Sequence, residues 1–533
     1  MIRRPLVRLA AWLLITLVAA FLAVFLMNLS RFDEPLLPEL EALRKSKPAS
    51  LDDNAYPFAL GFLATKGREP RAAGVEIIAI LQARRDRGEP ATIGKEEKQA
   101  ILGSPLANDG LGIGSSATER RPSALTSSFG LVCLPRVNLD CAHRLIAAAA
   151  SLDPNEPKLA LLFARYETLL KQAHYVETPA PDPMTPWPPL GPIAELGRVR
   201  LAISFRSDPT AVFLEKASQE LAFWRMALRE AQLLGTKMSA LAAIRWANDF
   251  LSTLMRERQL DAGDLAQLRG FIRPFTGEES DIGAAFLSES RTSLLGGMPS
   301  VAGDASWVVR LLLQKNATFN QEFRETIEPM RVRSSLDARE YYGYKAYAPL
   351  PREFHWAPGM FYNFGGKLAL SRSPWDAHQF PSRVHDEDGR ITLLLLQAEI
   401  EERPDLDVVT LVRSSAHRNP YTGEPMEYDP RTQTLGFACL ETASHPPEPG
   451  EQCKVALGQN APSCAGTTDS RLYNARRSTC AGGFSLKMAT NRADTSHAPV
   501  AELVDATDLK SVGRKAMPVR FRPGAPKPMS MPC

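Results

Sequence analysis

With 533 residues, 44% of them hydrophobic and 23% charged, the chain has the composition of a folded protein with room for several domains at about 150 residues each. A formal net charge of +3 is too slight over this length to hold nucleic acid, so no nucleic-acid partner is expected. Its 42 prolines exceed its 34 glycines, which requires many stiff, non-helical connections between elements.

The chain opens with an apolar run at residues 9–27 (LAAWLLITLVAAFLAVFLM), extended through Asn28 to Leu29. About 20 such residues in a helix cross the hydrocarbon core of a bilayer, so residues 1–30 are expected to be a cytoplasmic stub and one membrane-spanning anchor over roughly 9–29. Arg3, Arg4 and Arg8 precede the run, whereas Asp33, Glu34, Glu39 and Glu41 follow it with Arg31. Retention of arginine on the cytoplasmic side puts the start inside and the body outside the cytoplasm. The other reading of the run, a cleaved signal peptide, lacks a small-x-small site after an apolar core of ordinary length.

A first helical region is expected over 31–178, with helices at 54–66, 72–85, 141–152 and 157–173, the last with Pro157 in its first turn. Between them, 86–130 is rich in Gly, Ser, Pro and charge and reads as a long loop with room for one short helix. Seven prolines between Pro179 and Pro192 make 179–192 an extended connector. A second helical region follows over 193–405. In its longest stretch, 210–257, Leu214, Ala217, Leu221, Trp224, Leu228 and Ala231 recur at three- and four-residue steps, with Gly235 as the break. Further helices are expected at 261–271, 281–294, 301–315, 317–331 and 390–403, the last stopped by Pro404. Residues 406–456 then change texture: VVTLV (408–412), MEY (426–428) and TLGFAC (434–439) are separated by turn residues and read as a small β-hairpin element. The expected fold class is mostly α, with an N-terminal transmembrane helix, a helical body outside the cytoplasm, a small C-terminal β-hairpin element and a disordered or mistranslated tail over 457–533, where apolar periodicity vanishes.

Asn419, Pro420, Tyr421, Gly423, Pro425 and Tyr428 match an Asp/Asn-Pro-Phe/Tyr-x-Gly-x-Pro-x-x-Tyr turn. With the Phe-Trp-Arg (223–225) and Asn-Ala-Thr-Phe-Asn (316–320) runs, this turn resembles uncharacterised, single-pass, membrane-anchored proteobacterial proteins. The resemblance implies a placement and a shape, not an activity. Residues 499–526 resemble the peptide obtained when a transfer-RNA gene is translated, which implies a coding frame that has run past the true end near residue 457.

Chemistry-bearing constellations are sparse. In an oxidising compartment Cys133 would pair with Cys141 and Cys439 with Cys453, each closing a short loop. No Cys-x-x-Cys occurs and Cys141 with His143 is not a zinc site, so neither metal nor cofactor is expected. Asp376, His378 and His385, beside Asp386, Glu387 and Asp388, are the candidates for an envelope hydrolase, although the run reads better as a solvated acidic turn. The glycines of NDGLGIGSS (108–116) and GMFYNFGGK (359–367) lack the context of nucleotide loops. Between 341 and 364, aromatic residues including Tyr344, Trp356 and Tyr362 would either form a ligand platform or wrap the helical core. Structural or interaction work with a protein partner at the cell envelope is therefore the expected role, and an envelope hydrolase or ligand-binding protein the alternative.

Overall fold

The computed structural model describes residues 3–45, 50–87, 89, 93–103, 141–178, 187–295, 311–344, 361–371, 379–440 and 452–458. Helix α1 (Arg3–Met27) leads into α2 (Pro38–Lys45), α3 (Ala55–Leu60), α4 (Pro70–Asp86) and α5 (Lys95–Leu102). After these come α6 (Cys141–Ala148), α7 (Pro157–Leu170), α8 (Leu190–Ser207), α9 (Thr210–Glu230) and α10 (Leu234–Glu257). The short helices α11 (Ala262–Phe271) and α12 (Gly277–Ser280) connect to α13 (Gly283–Leu295), α14 (Lys315–Glu322) and, through a π-helical turn at Phe323–Ile327, α15 (Glu328–Ser334). The remaining described elements are α16 (Ala338–Tyr344), α17 (Phe364–Ser371), α18 (Gln379–Glu402), α19 (Val408–Ser414) and the strands β1 (Glu427–Asp429), β2 (Thr434–Ala438) and β3 (Gln452–Ala456).

Helix starts follow local chemistry. Glu156 accepts the Leu159 N–H ahead of Pro157, and Glu69 does the same for Arg71 and Ala72 ahead of Pro70. Asp261 with Asp264, and Thr276 with Glu279, form reciprocal capping boxes. The apolar steps predicted for α9 all face inward: Leu214, Ala217, Trp224 and Leu228 have no exposed surface. They pack with α8 and α10 into the main core, where Tyr166, Phe213, Phe250 and Phe286 are likewise fully buried.

A second, smaller core lies under the sheet, built from Leu435, Phe437, Cys453, Val455, Tyr421 and Leu411. The sheet is antiparallel in the order β1-β2-β3, with Tyr428 opposite Leu435 and Phe437 opposite Cys453. Helix α18 joins the two cores. Its Val384, Ile391, Leu394 and Ala398 belong to the main core, and its Leu393, Leu396 and Ile400 to the smaller one. A helix walled in on opposite faces has no solvent side on which to put polar residues.

Several expectations require correction. The run 379–389 is the first half of α18 rather than a turn, so this helix begins eleven residues before 390. VVTLV is helical: the Asp407 carboxylate accepts the Thr410 N–H, and this cap overrides the β preference of three valines. The hairpin is a three-stranded sheet, because Gln452–Ala456 pairs with β2. The connector gives way to helix at Leu190, so residues 190–192 are the first turn of α8. The break in 210–257 lies at 231–233, and Gly235 sits inside the first turn of α10.

The predicted anchor is helical over 9–27, the helix ending at Met27, two residues short of the expected 29. Among the described residues no helix is long and apolar enough to cross a membrane.

Candidate functional site

The sequence His-Asp-Glu-Asp-Gly-Arg (385–390) occupies a turn and a half of α18 at the level where α10, the α11–α12 connection and the sheet converge. Because α18 is enclosed, each side chain leaves in a different direction and meets a different element. His385 is 5% exposed and packs its ring against Tyr341, centroids 5.0 Å apart. Burial lowers its pKa from 6.5 to about 4, against the pull of Asp386 and Asp337. The Asp386 carboxylate accepts hydrogen bonds from the Tyr421 hydroxyl and, at 2.8 Å, from the Leu440 N–H, and burial raises its pKa.

Glu387 has no exposed surface. It accepts from Arg245 Nε at 3.0 Å and Asn248 Nδ2 at 2.9 Å, both on α10. Asp388 accepts the Phe275 N–H at 2.6 Å, and burial raises its pKa to about 6. Gly389 is required by close approach: a Cβ there would lie 2.3 Å from Phe437 Cζ. Arg390 is buried, with Nε 3.9 Å from the Glu387 carboxylate. Beside this layer, Arg225 of α9 donates to both Glu279 oxygens (3.0 and 2.8 Å) and to the carbonyls of Arg273 and Pro274. Arg273 joins the same carboxylate, and despite the cost of burial Glu279 falls to about 2.

These contacts bind elements together. The gap lined by Arg245, Asn248, Asp249, Ser252, Glu387, Arg390 and Lys454 is about the size of one water molecule. A general base has to reach a substrate proton. His385 packs against Tyr341 in the protein interior, while Asp376 and His378 lie outside the described residues. The acidic run is thus a buried polar layer, not a solvated turn.

The disulfide Cys439–Cys453 (Cα–Cα 5.5 Å) ties the end of β2 to β3. Cys141 is also disulfide-bonded, and Cys133 lies outside the described residues. Among the described residues, one group of metal-capable atoms converges: an oxygen of Asp386 and the sulfurs of Cys439 and Cys453, all within 4.8 Å. The disulfide takes both sulfurs out of thiolate chemistry.

The aromatic segment does not form one platform among the described residues. Tyr341 is core, Tyr342 stacks on Tyr421 at 5.7 Å, and Tyr344 is exposed beneath the Arg333 guanidinium. Tyr362 donates its hydroxyl to the Phe32 carbonyl, and Trp356 lies outside the described residues. The glycines at 108–116 lie outside them as well.

A second polar constellation, missed in the sequence, fastens the end of α1 to the body. Asn28 donates to the Phe361 carbonyl at 2.7 Å, and Gln314 to the carbonyls of Met27 and Leu29. The Asp33 carboxylate accepts the N–H groups of Asn316 and Ala317, capping α14 from a distant part of the chain. Asn320 donates to Glu34 and Pro35 and accepts the Leu37 N–H. Asn363, in the left-handed region at φ 51°, accepts from the Gln314 N–H and the Thr318 hydroxyl. Residues 314–320 and the pair Phe361–Tyr362 are therefore the two jaws of a joint that grips residues 27–37, and Asn363 braces one jaw against the other.

The chain matches no protein-family model, no curated protein and no solved structure.

Proposed function

We propose that this protein is anchored by α1 in a bacterial inner membrane, with its N-terminus in the cytoplasm and its body in the periplasm, and that it does structural or protein-interaction work at the envelope. One observation carries this reading. The apolar side chains of α1 are exposed on every side, with Trp12 at 69% and Leu17 at 67%, while the helix end is hydrogen-bonded into the folded body. An apolar surface of that extent in water is unfavourable at about 25 cal/mol per Å², and lipid removes the cost. The arginines at 3, 4 and 8 supply the direction of insertion. Two further features suit an interaction role: the charged groups of the α18 layer are spent on internal pairing, and the disulfides suit an oxidising compartment.

Alkaline phosphatase fused after residue 60 tests the compartment in living bacteria. The phosphatase is expected to be active and a fluorescent cytoplasmic reporter at the same point dark. The reverse pattern sinks the anchor, the compartment and the envelope role together. Affinity capture of the full chain from solubilised membranes addresses the role itself, and recovery without a stoichiometric protein partner argues against interaction work.

A further inference from the structure

The joint that holds residues 27–37 sorts its side chains by character. The acids are turned inward: Asp33 caps α14 and Glu34 accepts from Asn320. What faces outward beside the end of α1 is different. Phe32 is 51% exposed and Phe361 46% exposed, and the Arg31 guanidinium lies 4.6 Å from the Phe32 ring centroid. Phe361 is fixed at this level by its carbonyl, which accepts from Asn28, the residue that follows α1. Phe32 is fixed through its own carbonyl, which accepts from the Tyr362 hydroxyl. Two segments more than three hundred residues apart thus present one ring each within a few residues of the point where the apolar helix stops.

We propose that Phe32 and Phe361, with Arg31, form a footing that sits in the headgroup layer of the lipid bilayer and holds the body against the membrane surface. This rests on the membrane-anchor reading above. The lipid surface is the occupant that fits for three reasons. The patch lies beside the end of α1, whose exposed apolar side chains run to Leu26 and Met27. Aromatic rings and an arginine are the groups that partition to the interface, the rings among the upper acyl carbons and the guanidinium at the phosphates. The nearby carboxylates, which anionic headgroups would repel, are engaged in hydrogen bonds to the body.

Photocrosslinking of the full chain in bacterial membranes tests the footing. The photoreactive residue p-benzoylphenylalanine is placed at position 361, at 21 within α1, and at 409, an exposed position on α19. All three sites are exposed, so folding is preserved. Lipid-modified peptides are expected at 21 and 361 and lost at 409. Adducts at 21 but none at 361 overturn the footing and leave the anchor standing. Equal adducts at 361 and 409 overturn it too, because the whole body would then lie on lipid. An absence of adducts at 21 removes the anchor and the footing with it.

Discussion

His385 is a histidine kept neutral by its surroundings. An unfolded chain protonates it near pH 6.5 and the folded chain near pH 4, so between these values the unfolded state binds the extra proton. Its contribution to stability is therefore complete above about pH 6.5 and is lost as pH falls towards 4. Asp249 and Asp388 act with the opposite sign. Burial raises both from 3.8 to about 6, so the folded state takes up their protons first, and their contribution falls as pH rises from 3.8 to about 6. Replacing the imidazole with an apolar ring isolates its share. In His385→Phe, unfolding free energy at about pH 4.5 should lie 2–3 kcal/mol closer to its neutral-pH value than in the parent chain. Superimposable pH profiles in chemical denaturation would show that this ring does not control acid sensitivity.

At the scale of elements, α18 determines how the helical body and the sheet share one folding unit. Polar residues on an enclosed helix are tolerable only when each finds a partner, and here α10, the 272–275 connection and the turn at Tyr421 provide one each. The sheet side depends on a covalent tie as well. Cys439 and Cys453 are separated by 14 positions, and closing a loop of this length restricts the unfolded chain by about 3 kcal/mol. The double substitution Cys439→Ala, Cys453→Ala is expected to lower stability by about that amount while leaving the pre-transition helical circular dichroism unchanged. An unshifted denaturation midpoint would mean that β3 holds its place through hydrogen bonds alone.

The same helix shows how much the sequence made legible. Helix α7 and the first half of α9 bury one face, so apolar spacing revealed them, and Leu214 to Leu228 point where the spacing says. In the first half of α18 burial extends around the helix and the buried groups are charged, which erases the periodic signal. The partner of Glu387 is 139 residues away in Asn248, a distance at which no local pattern operates. The joint was half visible: the run 316–320 stood out in the sequence, as did the turn at 419–428, but nothing in it names Asp33 and Leu37 as the partners of Asn316 and Asn320.

For the whole molecule, the joint decides whether α1 is a loose leash or a fixed stem. Asp33 is its most replaceable member, being one charged cap on two N–H groups. Asp33→Ala should cost about 1 kcal/mol, the usual value of an N-cap. It should speed tryptic cleavage after Arg31 several-fold while the global unfolding transition barely moves. A cleavage rate equal to that of the parent would mean that the remaining hydrogen bonds hold the stem without the carboxylate.

The separation along the chain between the two halves of this joint also has a temporal meaning. Leu37 and Asn320 lie 283 residues apart. A ribosome adding about 5–20 residues per second has delivered the first long before it makes the second. The stem emerges early and waits, unseated, while α3 to α13 are being synthesised. Its docking is thus a terminal event in biogenesis, and a nascent chain arrested before α14 would carry its leading segment without a socket to receive it.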